Sequence, residues 1–133
     1  MNTRPQFRLG SLEDCELEDS QLEHALFEGT TLSGANFSRS NLEVAEFYGV
    51  MAFDVRFDGC QLSGARFLGG NFTGANFAGA ILSGAYFGPD NLGGAINISG
   101  ANFEGALLEG AVFESVQTDD STRFPLDFRL PNT

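Results

Sequence analysis

The chain has 133 residues, 42% of them hydrophobic and 19% charged, which suits one folded domain and excludes a disordered tail. Its apolar residues are scattered singly, and no run approaches the ~18 needed to span a bilayer, so a membrane partner is not expected. The formal net charge of −11, with seven Arg and no Lys, would repel nucleic acid and anionic lipid, so direct binding to either is not expected.

The first nine residues hold Phe7 and Leu9, which we expect to form a thin N-terminal cover. The opening stretch has no apolar segment of signal-peptide type, which predicts a soluble, cytoplasmic protein. From Leu12 onward a five-residue period begins. Every fifth residue is large and apolar: Leu12, Leu17, Leu22, Phe27, Leu32, Phe37, Leu42 and Phe47. After Ala52 the series resumes at Phe57, Leu62, Phe67, Phe72, Phe77, Leu82, Phe87 and Leu92. Neither a helix nor a simple strand alternation has this period. Two residues before each large one the side chain is usually small, as at Cys15, Ala25, Ala35, Cys60 and Ala75; two residues after it Gly recurs, as at Gly34, Gly64 and Gly74.

In extended chain the large residue and the small one two before it point the same way, inward, and the residue between them points out. Gly then supplies the positive φ of a type II turn. Each unit is one side and one corner, and about four corners close the coil. The predicted repeat is therefore twenty residues. Positions twenty apart agree: Leu22, Leu42, Leu62 and Leu82 on one wall, Phe27, Phe47, Phe67 and Phe87 on the next, and Phe37, Phe57 and Phe77 on a third. The fold class is all-β, a four-sided parallel β-helix of about five to six coils at ~4.8 Å spacing, some 26 Å long.

Three places depart from the period. Around Ala52 the large residue is missing and Val50 and Val55 have grown, a volume exchange that avoids a cavity. Near Ala95-Ile96-Asn97-Ile98 the frame slips: Leu92 is followed six residues later by Ile98, then Phe103, Leu108 and Phe113. One inserted residue predicts a bulge. Asp90, beside Pro89 and Asn91, is expected to break out at a distorted corner rather than bury its charge. After the last coil, Phe124, Pro125, Leu126, Phe128 and Leu130 are expected to plug the C-terminal end, since an open solenoid end invites edge pairing. The expected organisation is a cover at 1–9, the coil at 10–118, and a cap and tail at 119–133.

The units Ala35-Asn36-Phe37-Ser38-Arg39, Ala75-Asn76-Phe77-Ala78-Gly79 and Ala101-Asn102-Phe103-Glu104-Gly105 resemble the signature of the pentapeptide-repeat family: alanine, Asp or Asn, Leu or Phe, then two variable residues. The resemblance covers roughly residues 10–118. It implies the right-handed quadrilateral β-helix of that family. The tail from Thr118 to Pro125 is similar to the ending of many cyanobacterial members. Some acidic members of the family mimic duplex DNA and bind a type II topoisomerase (DNA gyrase), which the resemblance holds out as an alternative role.

Chemistry is scarce. His24 falls on an outward corner, with no directed triad around Ser20 and Glu23. The glycines match neither a phosphate loop nor a dinucleotide fingerprint. Cys15 and Cys60 both fall on the small inward position, two coils and one wall apart, too far for a disulfide, and read as two core residues. No enzymatic activity, cofactor or metal is expected. Glu13, Asp14, Glu16, Glu18, Asp19, Glu23 and Glu28 form an acidic collar without the converging geometry of a calcium site. No acid occurs from Gly59 to Pro89, so the charge is uneven along the rod.

The other candidate surface is apolar. Leu26, Tyr48, Leu68 and Tyr86 fall on outward positions of the Phe27 wall, with Met51 and Phe53 next door. A contiguous apolar stripe suggests a contact surface. The favoured reading is a protein-interaction scaffold using Tyr48, Met51, Phe53, Leu68 and Tyr86, with a homo-oligomer through a wall or an end of the coil as one form of contact. The DNA-mimic alternative would use the acidic collar. A rod ~26 Å long would need about 15 well-spread charges to match duplex DNA, and the acid-free middle leaves a gap.

Overall fold

The computed structural model describes residues 4–130. The outermost ends of the expected cover and cap, residues 1–3 and 131–133, lie outside the described residues. The chain is a parallel β-solenoid. Strands β1 (Gln6–Arg8), β2 (Leu26–Glu28), β3 (Glu46–Tyr48), β4 (Arg66–Leu68), β6 (Tyr86–Gly88) and β8 (Val112–Phe113) form one six-stranded parallel sheet in that order. Strands β5 (Gly70–Asn71) and β7 (Ile96–Asn97) pair on the adjoining wall. The other walls are held by single parallel bridges, twenty residues apart in the first coils, such as Glu16 to Asn36 and Gln21 to Asn41.

The register follows from the inward side chains. Phe7, Phe27, Phe47, Phe67 and Phe87 are aligned strand to strand, and their rings stack at 4.4–4.9 Å between centroids. A second stack on the opposite wall runs Phe37, Phe57, Phe77, Phe103 and Phe124. The two stacks meet edge-on, as at Phe67 and Phe77, whose planes cross at 84°. A slip of one residue would expel every ring, so burial fixes the register. Val50, Ala52 and Val55 are all fully buried, in keeping with the volume exchange at the missing large residue.

The corners explain the rest of the repeat. Three of the four are closed by a bond from the fourth residue of the turn to the first, such as Ala75 N–H to the Phe72 carbonyl at 3.0 Å. The third turn residue has positive φ, which suits Gly74 at 74°. Asn at the second position of a unit braces the turn that follows it. The Asn76 side-chain oxygen accepts the backbone N–H of Ala78 at 2.9 Å, and Asn36, Asn41, Asn71, Asn97 and Asn102 repeat this bond.

Five expectations need correction. The frame slip is not a one-residue bulge. Phe87 pairs with Phe113 and Asn76 with Asn102, each 26 residues apart, so six residues beyond a full coil leave the wall between β6 and β7. Leu92, counted with the inward residues, sits on that excursion and is 91% exposed. One whole pentapeptide unit plus one residue preserves the five-residue phase except for a single step, which is why the sequence resembles a bulge. Asp90 does break out: its carboxylate accepts the N–H groups of Leu92 and Gly94 at 2.9 and 2.7 Å and shapes the excursion. At the ends, Phe7 covers Phe27, but Leu9 is 77% exposed and is no part of the cover. Phe124, Phe128 and Leu130 pack on the last coil, whereas Leu126 points to solvent. Finally, Cys60 is fully buried but Cys15, in the first coil with no layer beneath it, is only half-buried.

Candidate protein-contact surface

The apolar stripe divides between two walls. Tyr48 and Leu68 are strand neighbours in one outward column of the six-stranded sheet. Tyr86 stands in the other outward column, paired with Arg66. Its ring lies across Gly88, where an added Cβ would come within 2.6 Å of Cζ. The Arg66 guanidinium lies over the ring at 5.8 Å, and the Tyr86 hydroxyl donates to Glu114 at 3.2 Å. Partial burial, then the bond and charge of Glu114, raise the Tyr86 pKa. Tyr86 is thereby fixed in place. Leu68 is only 5% exposed, so it forms floor rather than free surface. Leu26, also outward in the sequence pattern, is buried too.

Past the corner, Met51 and Phe53 occupy the two outward positions of the next wall, 45% and 38% exposed. Their pleat explains the placement, since Ala52 between them points inward and is fully buried. The Asp90 excursion projects from this same corner two coils on: Asp90 and Gly94 lie against Gly69, which continues the corner column of Gly49 beside Tyr48. Leu92 thus belongs to this ridge. The sequence period concealed it, because counting by fives placed it inside. The Pro89-Asp90-Asn91 and Gly93-Gly94 turn signals on both sides of it were the available clue.

The seven collar acids encircle the first coil on all four walls. Asp19 is paired with Arg39 through two bonds of 3.2 and 3.1 Å, and Glu28 with Arg8 at 3.2 Å. Glu13, Asp14, Glu16 and Glu23 are exposed, and Glu18 is half-buried. His24 is an exposed corner residue with φ of 65°. Among the described residues no group of His, Cys, Asp and Glu is arranged to hold a metal, and no helix is long and apolar enough to cross a membrane.

Fold and surface together define a class: a parallel β-solenoid of four-sided coils with five-residue sides. The sequence profile of the pentapeptide repeats matches residues 11–50 and 55–88 in eight copies. The chain belongs to the pentapeptide-repeat family. Among solved structures it is similar to the pentapeptide-repeat protein Rfr23 of the cyanobacterium Cyanothece 51142, at 20% identity and a TM-score of 0.56, over 89% of this chain and 88% of that one. It is also similar to HetL, a pentapeptide-repeat protein involved in heterocyst differentiation regulation from the cyanobacterium Nostoc sp. strain PCC 7120, at 24% identity and a TM-score of 0.42, over 86% of this chain and 62% of that one. Full-length QnrB1, a plasmid-mediated fluoroquinolone resistance protein, aligns at 20% identity and a TM-score of 0.39, over 86% of this chain and 68% of that one. Among curated proteins, none matches the sequence.

Proposed function

We propose that this protein is a non-catalytic scaffold that holds a protein partner along one corner of the coil, with Tyr48, Met51, Phe53 and Leu92 as anchors and Leu68 and Tyr86 as their support. The carrying observation is the Asp90-capped excursion, which holds a Leu in solvent at the corner where Tyr48, Met51 and Phe53 already gather. Exposing Leu costs burial energy, and a side chain held out on a fixed turn loses little entropy on contact. Aromatic anchors are the residue types most often found at energetic hot spots.

The experiment compares affinity capture from the native host by the wild type and by a Tyr48→Ala/Phe53→Ala/Leu92→Ala variant, each checked for an unchanged far-UV spectrum. A partner retained by both equally, and released by moderate salt, would count against the corner. A second reading, mimicry of DNA toward a type II topoisomerase, draws on the acids that circle the first coil. It requires that neutralising Glu13, Glu16 and Glu18 abolish binding and that duplex DNA compete, since exposed carboxylates are screened over ~10 Å at 0.1 M salt. The Gly59–Pro89 stretch without acids makes it the weaker of the two.

A further inference from the structure

The two ends of the rod differ. At the C-terminal end Phe124 stacks on Phe103 at 5.2 Å and Phe128 meets Phe113 at 5.4 Å, so the last coil is plugged. At the other end the described residues cover only one wall. Strand β1 lies over β2, with Phe7 stacked on Phe27, while among the described residues the other three walls stop one layer short. The result is a ledge beside β1.

The ledge carries unused pairing capacity. One coil further on, Thr31, Asn36 and Asn41 each donate an N–H to the coil before and accept one back, as Asn36 does with Cys15 and Leu17 at 2.9 and 2.7 Å. Their counterparts in the first coil are Ser11, Glu16 and Gln21. Among the described residues, the backbone N–H and carbonyl groups of these three have no backbone partner. The inward side chains of the ledge, Leu12, Leu17 and Leu22, are half-buried, whereas Leu32, Phe37 and Leu42 one coil further in are fully buried. Unpaired strand edge and uncovered apolar side chains on one surface fit an added strand.

Strand β1 shows what chemistry covers this end. It is extended, its inward residue is aromatic, and its outward Arg8 pairs with Glu28 directly beneath at 3.2 Å. Arg4 just before it reaches Glu46 at 3.0 Å. The vacant columns of the ledge present the same demand: outward Glu13, Glu16, Glu18 and Glu23, with no ion pair to an Arg among the described residues. A second copy of this chain would bring its own acids to the ledge and be repelled.

We propose that the open N-terminal ledge is a β-augmentation site for an extended basic segment of a partner protein, with Phe or Leu facing inward over Leu12, Leu17 and Leu22 and Arg or Lys outward over the glutamates. Backbone pairing supplies affinity, and the alternation of apolar and basic residues supplies selectivity. This surface is separate from the corner ridge, and either can fail without the other.

The probe is a fluorescent synthetic peptide of three Ala-Arg-Phe-Arg-Gly units, measured by anisotropy and amide hydrogen exchange against the full chain. Binding should slow exchange at the N–H groups of Ser11, Glu16 and Gln21. Glu13→Lys/Glu16→Lys/Glu18→Lys should weaken it roughly tenfold, the sum of several exposed charge pairs. Tyr48→Ala/Phe53→Ala should leave it unchanged. Equal binding of a scrambled peptide of the same composition would reduce the effect to charge attraction and overturn the proposal, as would protection confined to other walls. Sedimentation of the protein alone as a dimer, with those same amides already protected, would overturn it in favour of a second copy.

Discussion

Phe47 and Phe67, twenty residues apart, stack with ring centroids 4.8 Å apart and planes 1° from parallel. Phe67 is also met by Phe87 at 4.4 Å and edge-on by Phe57, Phe72 and Phe77. Removing the ring leaves a void bounded by five others, none of which can collapse without losing its own stack. Phe67→Ala should cost ~3–5 kcal/mol. Phe53→Ala, on the exposed ridge, should cost less than about 1 kcal/mol. Urea unfolding of the two variants measures both, and equal losses would contradict the inward and outward assignment.

The Asn of the repeat is present for its carbonyl oxygen. Asn76→Ala leaves the Ala78 N–H without its side-chain acceptor and should cost about 1 kcal/mol. Asn76→Asp keeps an acceptor at that position and should stay within a few tenths of the wild type. A loss as large for Asp as for Ala, read from the denaturation midpoint, would show that the turn does not depend on this bond.

Burial pushes the Cys60 thiol from its ordinary 9.0 up to about 12. The Cys60 Sγ donates to the Phe37 carbonyl at 2.9 Å within the core. Between these two pH values the unfolded chain has released the proton and the folded one retains it. Stability should therefore fall as pH rises from about 9 toward 12, by at most ~1.4 kcal/mol per pH unit from this group. Cys60→Ala should remove that part of the slope; Ala80 and Ala106 already fill the same column in later coils. In thiol labelling at neutral pH, half-buried Cys15 should react well before Cys60. Labelling of Cys60 first would reverse the burial assignment.

Deleting Pro89–Gly94 and changing Ala95→Gly restores a twenty-residue spacing between Phe87 and Phe113 and between Asn76 and Asn102. The shortened chain should keep its β spectrum and unfold cooperatively, because the stacks on both sides of the excursion remain in phase. It should also lose the partner that the Leu92 ridge retains. A deletion variant that fails to fold would mean the excursion holds the last coils in place rather than merely projecting from them.

Much of this protein is determined by its sequence alone. Phe27, Phe47, Phe67 and Phe87 had to stack because the five-residue code, taken four at a time, returns each to the same column, and burial forbids any other register. The small residue two before each ring and the Gly two after it are local requirements of a pleat and a turn, so they too are visible in one dimension. What depended on position along the axis was not. Cys15 and Cys60 occupy the same kind of site in the repeat, yet only one is buried, because only one has a coil on either side. Leu9 and Leu126 lie in the expected covers but have nothing to lie upon. Leu92 obeys the period and still sits in solvent, since a whole extra unit can leave the wall without disturbing the count that follows. Tyr48, Leu68 and Tyr86 share outward positions, and only the side-by-side packing of their strands separates a half-buried ring from a covered Leu and a pinned Tyr. A repeat sequence specifies which way each side chain points; how much of it remains exposed is decided by what the neighbouring coils place over it.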